Sequence, residues 1–151
     1  MTAEAKLAEL GLTLPPPAGA VANYVPWAIS NGMLYTSGQL PWISGDLKFK
    51  GKIGRELTAE QGYDACKLST LNAIAQLKDA LGDLEKVKRI VRVEGTLHVA
   101  PGFTGTPGVL NGASDLVSQV FGERGRHTRM IYTTGEMPLD CACLIVFWAE
   151  V

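Results

Sequence analysis

The sequence predicts an α+β domain: a sheet with two helices on one face. Three observations carry that prediction. Strand-like runs stand at both ends of the chain, and two stretches with apolar residues three and four apart stand between them. An Asn-Gly pair at Asn31-Gly32 joins the first two strand-like runs, and a type I′ hairpin turn selects that pair because it needs φ > 0 twice. The resulting order, β-β-(β)-α-β-α-β-β, puts strands at both ends, so the helices must share one side of the sheet.

Taken in order, Ala3 to Leu10 read as a short helix ended by Gly11, and Pro15-Pro16-Pro17 then force an extended lead-in along the surface. Residues 1–19 are thus a helix and proline-rich lead-in, and residues 20–151 a single domain. Tyr24 to Ser30 and Met33 to Ser37 form the hairpin, with Pro26 implying an edge position or a bulge. Leu47 to Lys50 offers a further short strand. Thr58 and Gln61 have capping-box spacing, and the helix they open carries Leu68, Leu71, Ile74, Leu77 and Leu81 as one stripe before Gly82 ends it.

Ile90 to Val99 alternates, with Val91, Val93, Leu97 and Val99 on one face and Arg92, Glu94, Thr96 and His98 on the other. Pro101 to Gly108 is a loop. Thr106 as N-cap and Pro107 at the first helical position open a second helix, striped by Leu110, Ala113, Val117 and Val120 and closed near Gly122. Strands at Thr128–Thr134 and Cys141–Val151 finish the chain. The last run is apolar on both faces, and one layer of helices leaves a sheet face bare. Self-association is the simplest way to bury it.

A length of 151 residues leaves little room for two domains. The formal net charge of −1 argues against a dedicated nucleic-acid binder, and no apolar run reaches a membrane span. Met1 to Lys6 has no basic start followed by an apolar core, so the expected compartment is the cytoplasm. Cys66, Cys141 and Cys143 are then free thiols by default, the last two pointing to one strand face close together. With only His98 and His127 beside them, no metal or other cofactor is expected.

No phosphate-cradling glycine loop, nucleophile elbow, zinc-protease helix or kinase signature occurs. His98, on the polar side of its strand, suits a surface or subunit contact, or a cleft wall. Arg124 and Arg126 fall in a glycine-flanked link and read as solvated. Arg129 stands at the start of a strand. It suits either an ordinary ion pair or a bidentate fork for a planar carboxylate. Ser37-Gly38-Gln39, where the hairpin leaves the sheet, is either a plain bulge or a place where a ligand meets backbone donors.

In register, these pieces resemble the Rid (YjgF) family, whose members are called reactive intermediate deaminases or endoribonuclease L-PSP. The elements are Tyr24 ahead of the first strand, Tyr35-Thr36-Ser37-Gly38-Gln39-Leu40-Pro41, Asn111, Thr128-Arg129 and Met137-Pro138. The resemblance spans about residues 20 to 151. It implies a chorismate-mutase-like fold, a homotrimer, and small ligands held in clefts between subunits. Arg129 matches the arginine that clamps a substrate carboxylate, and Tyr24, Ser37, Gly38 and Asn111 match other cleft positions. The reaction implied is hydrolysis of 2-imino or enamino acids to 2-keto acids and ammonia.

Two departures bear on that reaction. Ile131 stands where the deaminases carry a cysteine, and Leu144 where they carry a glutamate that positions water. This makes the chain a divergent subgroup. Its expected function is binding of a small carboxylate metabolite, with imine hydrolysis open. The alternative is a non-catalytic metabolite-sensing or interaction protein on the same trimer. Ribonuclease action is least supported, since no strip of basic and aromatic residues is present.

Overall fold

Asn31 and Gly32 both take positive φ, 49° and 72°, so the hairpin turn forms where the sequence places it. It joins β1 (Trp27–Ser30) to β2 (Met33–Thr36) in the computed structural model, which describes residues 1–151. The other elements are α1 (Ala3–Glu9), β3 (Trp42–Ile43), β4 (Asp46–Leu47), α2 (Ala59–Leu81), β5 (Arg89–His98), α3 (Thr106–Phe121), β6 (Thr128–Thr134) and β7 (Cys143–Glu150). The main sheet runs β1-β2-β7-β5-β6, and β3 and β4 form a small separate ribbon. Only the β5–β6 pair is parallel, because α3 crosses over between them; the other pairs are antiparallel. The fold is therefore α+β with a mixed, mostly antiparallel sheet.

β1 is an edge strand, which tolerates Pro26 just ahead of it, and the Pro26 carbonyl accepts from the Ser37 amide at 2.8 Å. The Thr58 capping box forms as predicted, with the Thr58 hydroxyl accepting from Gln61 N and the Gln61 side chain accepting from Thr58 N. Leu34, Val93, Leu97, Ile145 and Phe147 point from the sheet toward Ile74 and Leu77 of α2 and Leu110 and Val117 of α3 in one core. That packing brings α3 very near the sheet and α2. A Cβ on Gly112 would lie 2.1 Å from the Tyr63 carbonyl oxygen, and one on Gly95 2.4 Å from Leu110.

Several expectations shift. The structure has three helices, since α1 packs Ala3 and Leu7 into the core beside α3. The extended lead-in is anchored to the domain: Leu12 and Leu14 pack on the core, and the Gln76 amide donates to the Ala18 carbonyl at 2.8 Å. An irregularity between Ile90 and Arg92 moves the inward face by one, so Ile90 is buried and Val91 is not. The predicted strand at Leu47–Lys50 shrinks to Asp46–Leu47, with Lys50 making one isolated bridge to Cys141. Gly105, not Thr106, caps α3, without a side-chain bond. Both helices α2 and α3 lie on one sheet face. The opposite face presents Tyr35, Trp148, Met130 and Tyr132, all exposed.

Candidate functional site

Arg129, second in β6, lies opposite Val93, a register that aims its side chain at the helix side of the sheet, beside α3. There, Nη1 donates to Asn111 Oδ1 at 2.8 Å and Ser114 Oγ at 3.2 Å, and Nη2 donates to the Pro107 carbonyl at 3.3 Å. Asn111 and Ser114 are three apart, so one face of α3 carries both. All three acceptors are neutral, and no carboxylate oxygen comes within the 4.0 Å ion-pair distance of Arg129. The ordinary ion pair is thus absent. Of the five donors a guanidinium carries, Nε–H and one Nη2 hydrogen stay uncommitted on a half-buried side chain.

The other arginines of this region are occupied. Arg124 is half-buried rather than solvated, pairing with Glu85 at 3.0 Å and donating to the Val87 carbonyl at 2.6 Å. Arg126 is exposed and lies 3.7 Å from Glu123. His127 touches Ser114 through Nε2 at 2.9 Å and the Gly125 carbonyl through Nδ1 at 2.6 Å, which ties Ser114 to both His127 and Arg129. Only its spacing from Asn111 marks Ser114 in the sequence.

A second group forms at the far side of the sheet. Tyr24, Ser37 and Gly38 share a groove with Val21, Leu40, Pro138, Leu139 and Leu144. The Ser37 hydroxyl donates to the Val25 carbonyl at 2.6 Å, so it pins the segment ahead of β1 against the hairpin exit. Ser37 and Gln39 amides both have backbone acceptors, whereas the Gly38 amide between them has none. Leu144 stands against Gly38, its side chain 3.5 Å from where a Cβ would be. Leu139 and Asp140, at the turn beside it, hold positive φ of 56° and 59°, an uncommon strain for such residues.

The structure therefore joins Arg129 to Asn111, and Tyr24 to Ser37 and Gly38, but keeps the two groups apart. β2 and β6 are separated by β7 and β5, three strand spacings or roughly 14 Å. Ile131 packs on the core and Leu144 lines the groove, so the positions of the absent cysteine and glutamate are both apolar.

His98 is a correction. It is 1% exposed, roofed by the turn after β6, with Nε2 donating to the Gly135 carbonyl at 3.0 Å. It is neither a surface residue nor a wall of the groove. The thiols also pair differently: Cys143 meets Cys66 of α2 in the core, while Cys141 packs with Leu40 and Trp42 in a separate small cluster. Burial pushes the Cys141 thiol up to about 12, and the neighbouring Cys143 thiol together with burial raises that of Cys66; Cys143 Sγ lies 3.3 Å from Ser69 Oγ. No cluster of three histidine, cysteine or carboxylate side chains lies within metal-holding reach, and no helix is long and apolar enough to cross a membrane.

Residues 4–151 match the model of the family described as "YjgF/chorismate mutase-like, putative endoribonuclease". The chain is 39% identical over 139 residues to Protein TCP17 of Trypanosoma cruzi, a match covering 91% of this chain and 87% of that one. Its fold overlays on the crystal structure of a putative endoribonuclease from Shewanella oneidensis MR-1 with a TM-score of 0.98 at 48% identity, over 100% of both chains. E. coli TdcF, solved with bound serine, shares the fold at a TM-score of 0.63 and 20% identity, covering 92% of this chain and 95% of that one.

Proposed function

The chain belongs to the YjgF/chorismate mutase-like family, and on that premise we propose that it binds a small carboxylate-bearing metabolite through Arg129. One observation carries the reading: a half-buried guanidinium held by Asn111, Ser114 and the Pro107 carbonyl, with donors to spare and no carboxylate beside it. Its neutral partners fix its direction without neutralising it, which is the arrangement a bidentate anion clamp needs.

The Gly38 amide is a second donor without an acceptor, in the groove with Tyr24 and Ser37. A site using both donor groups needs two copies of the chain, since one copy holds them on different strands of the sheet. We propose a homotrimer in which the Arg129 edge of one copy meets the Gly38 groove of the next. The bare face with Tyr35, Met130, Tyr132 and Trp148 supports self-association. That TdcF holds serine, itself a carboxylate, is in keeping with such a ligand on this fold.

Imine hydrolysis is the second reading. Arg129 and the Gly38 amide offer positive electrostatics to a carboxylate and a polarised neighbour, but Leu144 gives an attacking water no acceptor. Binding without efficient turnover is the better-supported form. In a melting assay, 2-ketobutyrate should raise the midpoint of the wild-type protein and leave Arg129→Ala unmoved; an equal response from the variant would make Arg129 structural. Keto-acid release from enzymatically generated 2-aminoacrylate, faster than in buffer, would move the reading to hydrolysis.

A further inference from the structure

The groove beside Gly38 holds about 540 Å³, within the range of small-molecule sites. Its walls come from three separate segments. Val21 and Tyr24 belong to the segment just ahead of β1, Leu40 follows the hairpin exit, and Leu139 and Leu144 come from the last turn and β7. No acidic or basic side chain lines it. Its polar groups are few: the Tyr24 hydroxyl, the Ser37 hydroxyl already spent on Val25, and at the donor end the Gly38 amide, which has no protein acceptor.

Two features show that this apolar lining is held in place. The wall ahead of β1 is fastened twice, by Gln76 to the Ala18 carbonyl and by Ser37 to the Val25 carbonyl. Leu139 is 61% exposed and sits at a positive φ that a β-carbon resists, so a leucine is kept at the rim where a glycine would be less strained. An exposed, strained leucine does nothing for the core.

Resting on the carboxylate reading above, we propose that the ligand carries an apolar tail, branched aliphatic or aromatic, which fills this groove while its carboxylate lies at the donor end. Leu139 and Leu144 are then specificity-determining residues. The absence of any carboxylate in the lining suits an anionic head, and a charged side chain on the ligand would find no counter-charge there.

Calorimetric titration of the assembled protein with pyruvate, 2-ketobutyrate, 4-methyl-2-oxopentanoate and phenylpyruvate tests this. Each buried methylene should tighten binding about three- to fourfold, making 4-methyl-2-oxopentanoate on the order of thirtyfold tighter than pyruvate. Leu139→Gly, which the backbone accommodates without strain, should shrink that gap severalfold by weakening 4-methyl-2-oxopentanoate more than pyruvate, as should Leu144→Ala. A flat series, or one led by pyruvate, overturns the proposal, and so does a gap unchanged in both variants. The neutral 4-methyl-2-oxopentanamide separates the two readings: if it binds as tightly as the acid, the carboxylate clamp fails while the apolar groove stands.

Discussion

At Gly38 the backbone does not take a positive φ, and a Cβ would meet Leu144 at 3.5 Å, an ordinary contact distance. Neither conformation nor packing within the chain requires a glycine there. What its missing side chain leaves open is the donor end of the groove. Gly38→Ala should therefore keep the fold, and stiffening of the unfolded chain should leave stability unchanged or raise it by about 0.5 kcal/mol. The same methyl group stands between the amide and a ligand, so affinity for 2-ketobutyrate should fall about tenfold. Urea unfolding read beside calorimetric titration checks both halves. A loss of stability without a loss of affinity would return Gly38 to a plain structural role. Arg129 contrasts with it: the residue type and strand position suggested a carboxylate fork, but an ion pair suited the same pattern. Charge balance within a fold depends on which elements become neighbours, and here α3 brings Asn111 and Ser114 to Arg129 instead of an acid.

α3 is the element that sets this geometry, and Gly112 sets α3. Asn111 precedes it and Ser114 lies two positions on, while a Cβ at residue 112 would press 2.1 Å from the Tyr63 carbonyl of α2, a backbone atom that cannot rotate aside. Gly112→Ala should destabilise the protein by about 3 kcal/mol, the upper range for overpacking, and should weaken the ligand response by tilting Asn111 and Ser114 away from Arg129. Chemical unfolding, with the slope unchanged and the midpoint lowered, is the measurement; a neutral substitution would show that the helices can slide apart freely. At this scale the sequence was most legible where local chemistry decides the outcome. Asn31-Gly32 and the Thr58 capping box depend on a few adjacent residues and formed as read. On β5, Val93 and Leu97 face the core as read, but the irregularity between Ile90 and Arg92 turns Ile90 inward in place of Val91 and leaves no mark in the residue pattern. Asn72 and Gln76 were equally hidden. They are polar residues on a helix, yet Asn72 reaches the Leu40 and Trp42 carbonyls and Gln76 the Ala18 carbonyl, holding distant segments that form the groove.

At the scale of the molecule, the sheet has one face under helices and one bare. Tyr35 and Trp148 meet edge to face with ring centres 5.5 Å apart, and the Arg92 guanidinium lies 5.7 Å from the Trp148 ring, tied also to Glu94 at 2.9 Å. Met130 and Tyr132 continue this surface on β6, each nearly half exposed. Surfaces of this kind mark association, and the clamp on β6 and the groove beyond β2 give association a functional consequence. Tyr132→Glu places a charge on the bare face without touching the core, so the protomer should stay folded by circular dichroism. Light scattering should give the wild type three times the 16.1 kDa chain mass and the variant a single one. If the site joins two copies, the dissociated variant should also lose stabilisation by 2-ketobutyrate, although Arg129 and Gly38 are intact in every copy. A monomeric variant that binds like the wild type would place the whole site within one chain. A wild type that is already monomeric would remove the trimer altogether. The paired outcome, mass and binding falling together, distinguishes a site that assembly creates from one that assembly merely surrounds, because the donors on β6 and beside β2 cannot reach one small ligand across the two strands between them.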